Sequence, residues 1–577
     1  MNSMRGASLI DTIVGIALML LIFMGVYAAF QLSIDLVSNN KARIGATALA
    51  QEQMEYIRSL PYESMAVVGG IPAGSIPQTE TVALNGVNYT RRTLIRYFDD
   101  PKDGLGGVDT NGNIADSKEI KVETSWTNLK TGTRTIALVS RASPVGVEQS
   151  VPGGTIAIAV VNADSQPVPS AQVRIVNAST SPAVDITSYT DVDGTTVFIG
   201  APAASGYQIA VSKSGYNSAQ TYPASGQNPN PNPGNLTVSN NQTTSATFSI
   251  DLVAQKTVRT YKAIETLTWE DLFSDSSKTA TTTNVTISGG DAHLTGPVPY
   301  PASGEVQSND LAPTYLYTWK TARWTDTKPA STSVAYSVYY LSAGSPTLIP
   351  DAALPGNSTG FTASPLNLSG ISTTTYPSIR LRAVLSTTDT SATPSVDSWD
   401  IVYDRGPEPL GNIQFTMSGN KMIGSDGSGN PIYKYDQTSA SDVGGSVMFS
   451  SLENDTYTIT VNGTGIGYDI AESCQPQPRA LAPNSNMTTL LYFTPHTANS
   501  LLVDVRDAGG AMIPDATIRV YKTGYDTTKT SSSCGQAFFS GLSADTYSID
   551  VSASGYAPQT ITNVNVSGAS RSSAILN

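Results

Sequence analysis

Seven oxygen-bearing side chains, Asp99, Asp100, Asp103, Asp109, Asn111, Asn113 and Asp116, crowd the glycine-rich stretch "DDPKDGLGGVDTNGNIAD". Hard oxygen donors on a pliable loop are what Ca²⁺ takes, and Asp109, Asn111 and Asn113 alternate as in the first half of a calcium loop. The twelfth position of such a loop would be Ile120, where a bidentate glutamate belongs. A Ca²⁺ site and a solvated acidic turn both stay open. Cys474 and Cys534 are the only two cysteines, too few for a disulfide framework or a cysteine-built metal site. They are either bridged, locking two neighbouring modules together, or separately packed thiols. A bridge requires Cα atoms about 5.5–6 Å apart. Ser358 stands in "GNSTG", but the flanks "DAALP" and "FTASP" are loop-like, whereas a nucleophile elbow needs a strand before it and a helix after it. With only His293 and His496 in the chain, general-base and zinc chemistry have few side chains to use. No enzyme is expected, and no cofactor beyond the open Ca²⁺ alternative. The 46 acidic residues outnumber the 33 basic ones, for a net charge of −13. That charge offers no basic surface, so no nucleic-acid partner is expected.

One carboxylate lies in stranger company. Asp11 opens a run of 23 uncharged residues, 12–34, that closes at Asp35. The run is long enough to cross a bilayer as a helix and longer than the roughly 7–15-residue apolar core of a secretory signal. No proline interrupts the following segment before Pro61. Residues 7–58 therefore predict one helix of roughly 78 Å at 1.5 Å per residue. Its first half is apolar all round. Its second half is amphipathic, with Ile44, Ala48 and Gln51 on one face and Met54 and Ile57 continuing the stripe. Arg5 favours a cytoplasmic N-terminus, which Lys41 and Arg43 oppose weakly.

Arg5-Gly6 followed by Ala7-Ser8-Leu9-Ile10-Asp11 resembles the leader and mature N-terminus of type IV prepilins and pseudopilins, and "LAQEQMEYIRSLPY" (49–62) resembles the end of their long helix. The resemblance implies cleavage between Gly6 and Ala7 by a prepilin peptidase, with methylation of the new N-terminus. It also implies a role for Asp11 in filament assembly, facing the amine of a neighbouring subunit. An ionised group in an apolar span needs such a partner. The family usually has Phe at the first mature position and Glu at the fifth, where this chain has Ala7 and Asp11. That departure bears on methylation and on incorporation into a filament. The localisation implied is single-pass in the cytoplasmic membrane, N-terminus cytoplasmic, with the remainder extracytoplasmic, at the cell surface or in a pilus.

Behind the helix, residues 59–147 alternate as strands do and read as a pilin-like β head. From there a pattern repeats. Gly194, Gly445 and Gly535 each precede a phenylalanine by four (Phe198, Phe449, Phe539), and Tyr207, Tyr457 and Tyr547 follow. "VPSAQVRIV" and "IPDATIRVY" stand upstream of the first and last copies, and the middle copy lacks this signature. The repeat resembles the carboxypeptidase regulatory-like, or prealbumin-like, β-sandwich. The fold expected is mainly β with one long N-terminal transmembrane helix, a pilin-like head and tandem β-sandwich modules. The boundaries run 1–6 leader, 7–58 helix, 59–147 head, 148–254 first sandwich, 255–406 jelly-roll-like sandwich, 407–497 second sandwich and 498–577 third. Lys–Asn isopeptide staples are not expected. "ASGQNPNPNPGN" (224–235) reads as a loop insertion or flexible tip. Tyr315, Tyr317, Trp319, Trp324 and Trp399 are either core aromatics or a carbohydrate or peptide platform.

These readings converge on a minor pilin or pseudopilin of a type IV pilus or related secretion or competence filament. Its partners would be other pilin subunits, the prepilin peptidase, the membrane, and a surface carbohydrate or protein ligand. One rival is a tethered adhesin outside any filament, which would need neither Gly6 nor Asp11. Another is a polysaccharide-active enzyme, needing a carboxylate pair among Glu270, Asp271, Asp275 and Glu305.

Overall fold

The structure, a computed structural model, describes residues 9–102, 114–128, 132–146, 150–342 and 344–577. One long helix, α1 (Leu9–Ser59), precedes a chain built almost wholly of strands. It stops at Pro61, which caps a short turn and has no N–H to continue the ladder. The head is an antiparallel meander of β1 (Thr79–Leu84), β2 (Val87–Phe98), β3 (Ser117–Asn128) and β4 (Gly132–Ala142). The second half of α1 lies across it.

The repeated residues have a shared physical job. In the first sandwich Gly194 sits at φ +72°, and its carbonyl accepts the N–H of Val160 on the opening strand, Gly154–Val161. In the third, Gly535 (φ +70°) does the same for Val505 on Ser500–Asp507. A side chain at either glycine would strike the carbonyl of that same strand residue, and the left-handed backbone disfavours other residue types. Phe198 and Phe539 fill the space between sheets. Tyr207, Tyr457 and Tyr547 are buried to 1% exposure or less, and their hydroxyls donate to the carbonyls of Pro202, Glu453 and Ser543 at the strand entrance. In both sandwiches the closing strand runs parallel to the opening one, Thr243–Ser249 beside Gly154–Val161 and Ala569–Leu576 beside Ser500–Asp507.

The middle sandwich follows the same rule with a displaced first strand. Gly445 (φ +75°) accepts the N–H of Thr260, which lies on Ala254–Lys262, before the jelly roll. That strand pairs in parallel with Asn486–Pro495 and antiparallel with Ser446–Leu452. Ala254 and Val258 belong to the same buried cluster as Phe415, Phe449 and Tyr457. The boundaries at 255 and 407 are therefore corrected. The jelly-roll sandwich (strands from Glu265 to Arg405) is inserted between the first and second strands of the middle sandwich. "AQKTVRTYK" is the opening strand of that middle sandwich, the counterpart of Gly154–Val161 and Ser500–Asp507, and Gln414–Gly419 stands where the "QVRIV" and "TIRVY" strands do. The insert has two sheets and a core of its own around Trp319 and Trp399.

The stretch 224–235 is likewise not a free tip. Asn230–Pro231 pairs with Met422–Ser425 of the middle sandwich, and the Asn228 side chain donates to the Ile423 carbonyl at 3.0 Å. Composition reports that this segment avoids regular structure of its own, but the strand it joins belongs to another module. A second pin nearby is Glu453, whose carboxylate takes Lys434 at 2.8 Å, Lys421 at 3.3 Å and the Asn217 amide of the first sandwich at 2.9 Å. The head and first sandwich meet through Gln78. Its amide donates to the carbonyl of Asp185 at 2.6 Å and accepts from Thr187 at 3.4 Å, closing the edge of strand Val184–Tyr189.

Candidate functional site

The first half of α1 stands clear of the rest of the chain. Leu21 is 69% exposed and Phe30 64%, and every large apolar residue from Ile13 to Val37 is open. Such an apolar surface has no stable place in water. The helix is long and apolar enough to cross a membrane, by length and composition. Asp11 lies in its first turn, and Gly6 and Ala7 lie outside the described residues.

The second half docks on the head through small side chains. Ala42, Ala46, Leu49, Ala50, Met54 and Ile57 are buried, whereas Ile44, Ala48 and Gln51 face out. The expected stripe is thus right at Met54 and Ile57 and displaced at its start. Hydrophobicity favours Ile44, but the sheet approaches where bulk is least. At Gly45 an added Cβ would lie 2.6 Å from the Tyr89 hydroxyl, and that hydroxyl donates to the Ala42 carbonyl at 3.0 Å.

Of the acidic loop, Asp103, Asp109, Asn111 and Asn113 lie outside the described residues. Asp99, Asp100 and Asp116 stand at its base, where the Asp116 carboxylate accepts the Asp100 N–H at 2.5 Å. Close by in sequence is a residue the sequence reading missed. Lys118 is almost wholly buried, donates to the Tyr62 carbonyl at 2.8 Å, and rests over the rings of Tyr62 and Tyr97. Burial lowers its pKa, with the charge of Glu63 acting the other way.

The structure brings Cys474 and Cys534 together as a disulfide between the middle and third sandwiches, Cα atoms 5.4 Å apart. The same seam carries Ser473 N–H to the Gln536 side chain at 2.7 Å and the Ser532 hydroxyl to the Glu472 carboxylate at 2.5 Å. Burial raises the pKa of Glu472, opposed by the Ser532 bond. A carboxyl whose folded pKa is raised stabilises the fold fully below its unfolded value, and that stability is lost as pH rises through the folded one. Glu472→Gln, which keeps an acceptor without ionising, should therefore match the native chain in thermal unfolding near pH 4 and exceed it at pH 8. Equal melting at both pH values would refute this.

The aromatics of the jelly roll divide. Trp319 and Trp399 are fully buried and Trp324 stacks on Tyr336 with ring centroids 4.1 Å apart, so these are core. Tyr315 and Tyr317 are about half exposed. Ser358 lies in a turn, its hydroxyl and N–H both directed to Asp351. His496 instead pairs with Asp469 of the middle sandwich. Among the carboxylates proposed for polysaccharide chemistry, Glu305 is held by Arg382.

No curated protein matches the chain. Similar solved structures include the TIE protein of Bacillus anthracis, at 11% identity over 86% of this chain and 72% of that one, with a TM-score of 0.15. The major pilin subunit BcpA of Bacillus cereus is 9% identical over 74% and 99%, with a TM-score of 0.13. The major pilin SpaD of Corynebacterium diphtheriae is 11% identical over 74% and 98%, with a TM-score of 0.12. At such TM-scores these likenesses carry no argument about this chain. At the C-terminal end, where the third sandwich repeats the strand order of the first, residues 500–576 match the carboxypeptidase regulatory-like domain.

Proposed function

We propose that this chain is a minor pilin or pseudopilin, anchored in the cytoplasmic membrane through α1 and carrying a stalk of sandwiches outward. The observation that supports the reading is the division of one helix into a bare apolar half and a half docked on a β head, preceded by Arg5-Gly6-Ala7 and carrying Asp11. The stalk is too bulky to pack along a filament shaft, which suits a place at the tip. Its modules would present the binding surface, with Tyr315 and Tyr317 available to a carbohydrate or protein ligand. The role is structural and adhesive rather than enzymatic. A tethered adhesin outside any filament is the alternative.

The test is the N-terminal residue and intact mass of chain recovered from host membranes, with and without active prepilin peptidase. The expected product begins at Ala7 only when the peptidase is active. A chain that keeps Met1 in its presence would sink the pilin reading and leave the tethered adhesin. Asp11→Ala should then deplete the chain from sheared filaments by about tenfold or more, the cost of an unmet charge partner, while leaving it in the membrane.

A further inference from the structure

Where α1 leaves its bare apolar half, two arginines stand close together without an ion pair among the described residues, and Arg141, which lies over the Phe98 ring, is a third in the head. Arg91, Arg92 and Arg96 are each paired with a glutamate. Among the described residues no carboxylate lies within ion-pair reach of Arg43 or Arg134, in a chain with an excess of acid. On the helix, the flanking carboxylates are Asp35, eight residues before Arg43, and Glu52, nine after. Both arginines line a cleft of about 330 Å³ together with Asn40, Thr135 and Trp126. Trp126 pairs directly across the β3–β4 ladder with Arg134. It is only 7% exposed, and its indole Nε1 is closed off from solvent with no acceptor among the described residues. The ring, and not its N–H, therefore lines the cleft.

We infer that Arg43 and Arg134 bind the phosphodiester of an anionic phospholipid at the membrane-proximal end of the head, beside the Trp126 ring. The guanidinium fork matches phosphate oxygens bidentately. The depth agrees. The unbroken run of exposed apolar residues ends at Val37, with Ile44 a single exposed side chain further along, and Arg43 is six residues past Val37, about 9 Å of helical rise. The headgroup layer on each side of a bilayer is roughly 5–8 Å thick, and a long arginine stem lets its head reach down into it. Tryptophan is itself at home at that depth. Lys41 lies in a different groove, with Asn85, Val87 and Tyr89, and supplies only general attraction.

The inference rests on α1 spanning the membrane, and the experiment separates the two. Full-length chain in detergent is titrated with phosphatidylglycerol, phosphatidylcholine or inorganic phosphate, and retained ligand is read by native mass spectrometry. Flotation with vesicles of each lipid runs in parallel. The expected result is one phosphatidylglycerol retained per chain. Arg43→Gln and Arg134→Gln should each lower retention about tenfold, as loss of a charge-assisted hydrogen bond does, and Lys41→Gln less than twofold. Both arginines are exposed, so neither variant disturbs the packing of the head. Equal retention by all variants overturns the site. Displacement of the lipid by millimolar inorganic phosphate or by an acidic peptide overturns the lipid assignment in favour of a free anion or a protein contact. Flotation with neither vesicle overturns the membrane anchor and the site together, whereas flotation with both and no selective retention overturns the site alone.

Discussion

Gly445→Ala is expected to destabilise the middle sandwich by about 3 kcal/mol, combining left-handed backbone strain with a steric clash. The backbone there sits at φ +75°, and an added Cβ would lie 2.5 Å from the Thr260 carbonyl. The clash is with main chain, so no side chain can swing aside to relieve it. The strand that must yield is Ala254–Lys262, which holds the sheet together between Ser446–Leu452 and Asn486–Pro495. A chain of several modules does not unfold in one step, so hydrogen exchange in peptides covering 254–262 and 486–495 is the appropriate reading. Exchange there should rise by about two orders of magnitude, while the jelly roll, with its own core, stays protected. Gly427→Ala, with nothing within 4 Å of its added Cβ, should leave exchange unchanged. Unaltered protection in Gly445→Ala would refute the role given to the repeated glycine.

Lys256→Met should act in the opposite direction. Lys256 is 0% exposed, inside the middle sandwich, its Nζ 3.9 Å from the Met487 sulfur. Burial, reinforced by the charge of Arg479, pushes its pKa down from 10.5 to about 8. Between those two values the unfolded chain binds more protons than the folded one, so stability rises as pH climbs from about 8 to 10.5. Below pH 8 both states are protonated and the fold bears the full cost of a buried ammonium. That cost is roughly 3 kcal/mol at 1.36 kcal/mol per pH unit. Methionine is similar in length and carries no charge. The variant should raise the unfolding midpoint of this sandwich by on the order of 10 °C at pH 7 and abolish its alkaline gain. Calorimetry at pH 7 and pH 10 checks both. A native chain whose middle transition is flat across that range would contradict the assignment.

How much of this was readable beforehand depends on how local each signal is. The long helix and mainly β fold follow from an uncharged run and from strand alternation, both short-range patterns. The repeated glycine, phenylalanine and tyrosine gave the sandwich because each acts within its own turn and strand. The first strand of the middle sandwich was hidden for two reasons. About 150 residues of insert separate it from its partners, and Lys256 occupies an inward position where the pattern asks for an apolar residue. Helix docking misled at Ile44 because close approach to a sheet is limited by size, which a hydrophobicity pattern does not weigh. The Asn230–Pro231 strand depends on a partner in another module, which local composition cannot name. The arginines of the head were visible as charges. That two of them share a cleft with an indole emerges only when the β3–β4 ladder places Trp126 opposite Arg134.

The parallel pairing of first and last strands has a mechanical meaning. The chain enters the middle sandwich at Ala254 and leaves it after Pro495, and these two strands lie side by side in the same direction over eight residue pairs. A pull between the neighbouring sandwiches therefore slides one strand along the other, loading all the hydrogen bonds of the pair at once instead of opening them one by one. The outer two sandwiches have the same arrangement. Because the jelly roll departs and returns between those strands, tension passes beside it. The stalk can be stretched by whatever it holds while the side domain keeps its shape.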